Sequence, residues 1–135
     1  MGLERVTYLD NFFVEHPIII SRVQVFLHNY ILKNENEDWL KTITDDLYSN
    51  SRLPIIKFFF DEDYLEPFPK RKNYLLKVLD NAYKEMKNME LKDFLMYIYD
   101  LSKGTFFEIH IDTSLNNESY NHYINTLKKV MSQIH

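Results

Sequence analysis

Acid gives way abruptly to base in the stretch IIKFFFDEDYLEPFPKRKNYLL, residues 55–76. Asp61, Glu62, Asp63 and Glu66 crowd four carboxylates around Tyr64, and Lys70, Arg71 and Lys72 follow two prolines. Such a cluster could coordinate a hard cation, but calcium takes six or more oxygen ligands, and its helix-loop-helix site needs alternating acids around a central glycine. Here the acids are adjacent and the glycine is missing. A glycosidase pair needs one carboxyl raised by burial, and adjacent acids on one turn give no reason for two environments. A solvated turn remains, and so does a docking surface.

The wider segment favours docking. Residues 35–66 hold nine acids (Glu35, Glu37, Asp38, Asp45, Asp46, Asp61, Glu62, Asp63, Glu66) and three bases (Lys41, Arg52, Lys57), a balance of −6, against −4 for the whole chain. Trp39, Tyr48 and Tyr64 lie among them. Aromatic rings supply contact area, and carboxylates steer a basic partner into place. The expected partner-binding set is therefore Asp61, Glu62, Asp63, Tyr64 and Glu66, with Asp45, Asp46, Tyr48 and Trp39. Residues 67–87 reverse the balance, with six bases against two acids. The bland alternative is that the two segments neutralise each other within the fold, at typically under ~1 kcal/mol per surface pair.

Two other motifs bear on chemistry. In TFFEIHIDT, Glu108, His110 and Asp112 alternate with Phe107, Ile109 and Ile111. Period-two spacing puts the polar set on one face of a strand, where His122 or His135 could complete an oxygen–nitrogen metal site. A half-wet strand looks the same by default, so these three are weak metal candidates. In PKRK, residues 69–72, the bases could meet phosphates. They fall at an expected helix N-terminus, where the dipole disfavours cations, and an acidic chain is a poor nucleic-acid binder. No serine sits in a nucleophile elbow. No catalytic residue and no cofactor are expected.

Composition narrows the class further. A chain of 135 residues fits a single globular domain, 1–135. With two glycines, the Gly-rich phosphate loops are nearly excluded, and Gly-turned β-sandwiches are disfavoured. The absence of cysteine removes disulfides, thiolate catalysis and Cys-ligated zinc. The N-terminal residues show no basic, apolar and cleavage-site pattern, and apolar runs fall far short of a membrane span. A cytoplasmic protein is expected. Abundant Asn, Ile, Lys, Tyr and Phe suggest AT-rich coding, as in a mobile element, phage or virus.

Five segments carry apolar residues at helical spacing: 16–32, 34–50, 69–88, 89–104 and 117–135. Pro17 suits a first turn, and Gly104 suits a C-terminal stop. His28 lies off its stripe and is expected to be exposed. A strand at 106–112 needs a partner for its backbone groups, and the candidates are LPIIKFFF (53–60), strand or short helix, and the N-terminal RVTYL. The expected fold is α+β and predominantly helical, with about five helices and a small two- or three-stranded sheet. The alternative is an all-α bundle with a short hairpin.

The leading functional expectation is a non-catalytic inhibitor that occludes a basic protein partner such as a toxin. In being compact, acidic, Tyr-rich and cysteine-free, the chain resembles small acidic inhibitors in general character, such as bacterial immunity proteins against nuclease toxins and phage-encoded antagonists. That likeness is one of style, with no shared motif. The second expectation is a viral or phage module that holds a partner helix in a helical groove. The third is a metal-dependent enzyme centred on strand 106–112.

Overall fold

The computed structural model describes residues 3–51, 59–102 and 117–135. In chain order these are β1 (Glu4–Tyr8), β2 (Asn11–Glu15), α1 (Pro17–Asn34), α2 (Asp38–Ser51), a 3-10 turn (Glu62–Tyr64), α3 (Pro69–Asn88), α4 (Leu91–Ser102) and α5 (Asn117–Ile134). The fold is α+β and predominantly helical, with a two-stranded antiparallel sheet among the described residues. Both α1 and α3 open on a proline, whose fixed φ suits a first turn and whose missing N–H costs nothing there.

Helix α1 is the spine. It packs against α2, α3, α4 and α5, so it is buried beyond one stripe: Ile20, Val23, Phe26, Leu27 and Ile31 are joined by Gln24, Val25 and Asn29. The Phe26 ring stacks on Phe94 at 5.4 Å between centroids. Phe94 in turn meets Tyr123 at 5.0 Å and Tyr120 at 5.4 Å. These offset and edge contacts, the favoured aromatic geometries, tie α1, α4 and α5 into one core.

Helix α2 folds back antiparallel on α1 along a polar seam. Ser21 Oγ donates to the Ser51 carbonyl at 2.8 Å, and the His28 ring lies 4.8 Å from that of Tyr48. This corrects the expectation for His28. The imidazole is half-buried, and burial lowers its pKa against the opposing effects of Asn29 and Asp45.

The sheet is a hairpin, with Glu4 opposite Glu15 and Tyr8 opposite Asn11. The segment RVTYL, a candidate partner for strand 106–112, does form a strand, and among the described residues it pairs with Asn11–Glu15. Val6, Tyr8 and Glu15 are buried, Phe13 is half-buried, and Phe12 and Val14 face outward. Leu9 in the connecting turn holds φ at 52°, in the left-handed region that disfavours side-chain-bearing residues. Of segment 53–60, Phe59 and Phe60 are described and buried. The rest of it lies outside the described residues, as do Gly104 and strand 106–112.

Candidate functional site

The acidic turn forms locally. Asp61 caps it, its carboxylate accepting the Asp63 N–H at 2.9 Å. This is the short side-chain-to-backbone bond that makes aspartate a turn former. Leu65 is fully buried beneath, and Tyr64 stands 38% exposed. The carboxylates then divide by role. Glu66 accepts the Tyr8 hydroxyl at 2.6 Å and pairs with Lys72 at 2.8 Å. The hydrogen bonds from Lys72 and Tyr8 hold its pKa below the ordinary range, against some desolvation. Glu62 accepts the Leu9 N–H at 3.1 Å, gripping the hairpin at its strained residue. Glu62 and Glu66 therefore anchor the hairpin tip to the turn.

On α2, Asp46 lies close enough to Asp61 to feel its charge, and Asp45 stands beside it on the His28 side. The Asp46 pKa is raised, first by burial and then by the like charges of Asp61 and Asp45. No lysine or arginine pairs with Asp45, Asp46, Asp61 or Asp63 among the described residues. Beside them the Tyr48 ring covers His28. The fold thus gathers carboxylates from two segments that the sequence keeps fifteen residues apart (46 to 61).

Trp39 belongs to a neighbouring cluster. The Arg71 guanidinium lies 5.6 Å from its ring centroid and 4.1 Å from that of Phe68. Tyr74 meets the indole edge-on at 6.0 Å and donates to Glu35 at 2.5 Å. Two of the three bases at the start of α3 are therefore held by this chain: Lys72 by Glu66, and Arg71 by aromatic faces through cation–π attraction. For these two, placement against the helix dipole is offset from within.

Two hollows lie along α5. One, of about 550 Å3, runs between β2 and α5 and is lined in part by Phe13, Glu15, His122, Asn125, Lys128 and Lys129. The other, of about 540 Å3, lies between α3 and α5, where Leu76, Tyr83 and Met131 form the apolar wall. Besides its apolar stripe, α5 carries His122, which lines the first hollow. The complementary polar stripe through His122, Asn125 and Lys129, at three- and four-residue steps, was visible and marks the hairpin-facing side. Among the described residues no three His, Asp or Glu side chains group to hold a metal. Glu108, His110 and Asp112 lie outside those residues. No described helix is long and apolar enough to cross a membrane. Compared with known protein families, curated proteins and solved structures, the chain matches none.

Proposed function

We propose that this chain is a non-catalytic, immunity-type inhibitor that covers a basic protein partner, a nuclease toxin being the fitting kind, with the surface around Asp45, Asp46, Asp61, Asp63 and Tyr64. The observation that carries this reading is the crowding of Asp46 against Asp45 and Asp61 with no lysine or arginine described among them. Like charges held together at a surface oppose the fold's own stability. A cationic partner would turn that repulsion into attraction and speed its own encounter. Tyr64, exposed on the same turn as Asp61 and Asp63, is the aromatic that such a contact would bury.

The test uses the protein captured with this chain from its native host. Association kinetics are compared for the native chain and an Asp45→Asn, Asp63→Asn double variant across ionic strength. Neither side chain accepts a hydrogen bond among the described residues, so the fold should be untouched. The expected result is association slower by about tenfold at low salt, with a flatter salt dependence. An unchanged on-rate and salt slope would remove this mechanism.

The groove between α3 and α5 supports a second reading, an adaptor that holds a partner helix against Leu76, Tyr83 and Met131. Under that reading Met131→Lys abolishes capture, and the double aspartate variant leaves it intact.

A further inference from the structure

Strand β2 pairs with β1 along one edge only. The two-residue turn Leu9–Asp10 sets Tyr8 opposite Asn11, and a turn of that length closes on a pair that exchanges both ladder bonds. Bonded pairs then alternate along the hairpin: Tyr8 with Asn11, Val6 with Phe13, Glu4 with Glu15. The N–H and C=O groups of Phe12 and Val14 therefore point the other way, off the second edge. No hydrogen bond from elsewhere reaches them among the described residues.

Bare edges template pairing with another strand, so they are ordinarily blunted by lysine, proline or a bulge. NFFVE contains neither lysine nor proline, and its register with β1 runs unbroken. Its outward side chains are apolar: Phe12 is 56% and Val14 47% exposed, with Arg5 reaching over the Phe12 ring from β1 at 4.3 Å.

Beside this strand lies the cleft of about 550 Å3, with α5 as its other wall. That wall is cationic. Lys128 and Lys129 are exposed, and neither pairs with an acid among the described residues. Lys129 lies over the Phe13 ring, 5.7 Å from its centroid, a contact that leaves its charge unneutralised. The acid lining the cleft, Glu15, is buried and already engaged by the His16 N–H at 2.9 Å, the Thr126 hydroxyl at 3.2 Å and His122 at 3.8 Å. In a chain of net charge −4, this is a locally basic groove.

We propose that the second edge of β2 takes up an extended segment of a protein partner in which apolar and acidic residues alternate. Added-strand recognition draws affinity from main-chain bonds and specificity from alternate side chains. Here the main-chain bonds go to Phe12 and Val14. Side chains of the added strand point in turn to the two faces of the sheet. Those on the outer face lie beside Phe12 and Val14 and are apolar. Those on the inner face enter the cleft toward Lys128 and Lys129 and are carboxylates. This surface is separate from the one around Tyr64 and stands or falls without it.

The experiment titrates the full chain with a blocked peptide, Val-Asp-Val-Asp-Val-Asp-Val, and follows the backbone amides by NMR. The Phe12 and Val14 amides should shift downfield together, and binding should weaken with salt. The same peptide with lysine for aspartate should bind at least about tenfold more weakly. Val14→Pro removes an N–H that the hairpin ladder does not use, a position where a strand tolerates proline. It should weaken the peptide by at least about tenfold with the circular dichroism unchanged. Lys128→Gln with Lys129→Gln should flatten the salt dependence. The proposal is overturned if the amide shifts fall elsewhere, if the lysine peptide binds equally well, or if folded Val14→Pro binds as the native chain does. If the proline unfolds the chain, the amide shifts of the native chain decide. Slow hydrogen exchange at Phe12 and Val14 before any peptide is added also overturns it. The edge is then filled already, by a second copy if the protection fades on dilution, and by this chain's residues 103–116 if it does not.

Discussion

Asp46 and Glu66 flank the same surface with opposite signs. Asp46 sits where burial and two neighbouring carboxylates raise its pKa. A group raised on folding adds stability only while protonated; that contribution is present below its unfolded pKa and is lost as pH rises through the folded one. At neutral pH the charged Asp46 therefore opposes folding. Asp46→Asn should stabilise the chain by a few tenths of a kcal/mol at low salt, less at high salt because the group is partly solvated. Urea unfolding at two ionic strengths checks this, and a loss of stability would show the crowding to be harmless. If the docking reading holds, the same variant associates more slowly. Glu66 behaves in reverse. Lys72 and Tyr8 depress its pKa, so its contribution is present above the unfolded value and is lost as pH falls through the lowered folded value. The urea midpoint of the native chain should drop on acidification below the ordinary glutamate range, and Glu66→Gln should flatten that drop. Parallel acid profiles for the two chains would mean that the Lys72–Glu66–Tyr8 link carries no stability.

The hairpin shows which elements the sequence made legible. Leu9 spends its φ of 52° against a preference of roughly 1–2 kcal/mol, held by the Glu62 carboxylate. Leu9→Gly removes that penalty and adds back unfolded-state freedom worth about 0.5–1 kcal/mol. A net gain of up to about 1 kcal/mol is expected by urea unfolding, and a clear loss would show that the leucine side chain, not the turn, holds the tip. Ordinary hairpin turns advertise themselves with Asn-Gly or Asp-Gly, and Leu9-Asp10 does not. Strand β2 hides as well, because NFFVE buries Glu15 and exposes Phe12 and Val14, against its hydrophobic alternation. The helices were readable because their apolar stripes do face the core and because prolines mark two of their starts. In the candidate site, the turn around Tyr64 was readable as a carboxylate cluster. Its convergence with Asp45 and Asp46 is set by how α2 is placed, and the anchoring roles of Glu62 and Glu66 depend on partners 53 and 58 residues away. No local pattern encodes those distances.

Across the whole molecule, tyrosine hydroxyls rivet the elements together, which gives the Tyr-rich composition a second meaning beside interface formation. Tyr8 ties the hairpin to the acidic turn, and Tyr74 ties α3 to the residue that caps α1. Tyr120 donates to the Met86 carbonyl, joining α5 to α3. The Tyr123 hydroxyl accepts from Arg22 at 2.6 Å, joining α5 to α1. Burial is the first cause that raises the pKa of Tyr8, Tyr30 and Tyr120, and it pushes Tyr97 up to about 12. For Tyr74 the first cause is its bond to Glu35. Each of these phenols favours the neutral form when folded, so its contribution is complete below the unfolded value of about 10 and is lost as pH rises through its folded value. Because the rivets join different elements, their ionisation should not be gradual. In an ultraviolet titration, part of the phenolate signal should appear only above pH ~10, together with loss of the helical circular dichroism signal. In urea the whole signal should appear near pH ~10. Complete titration near that pH with the helices intact would mean that the hydroxyls are not held between elements, and the path from the hairpin through the acidic turn to the helical core would lose its physical basis.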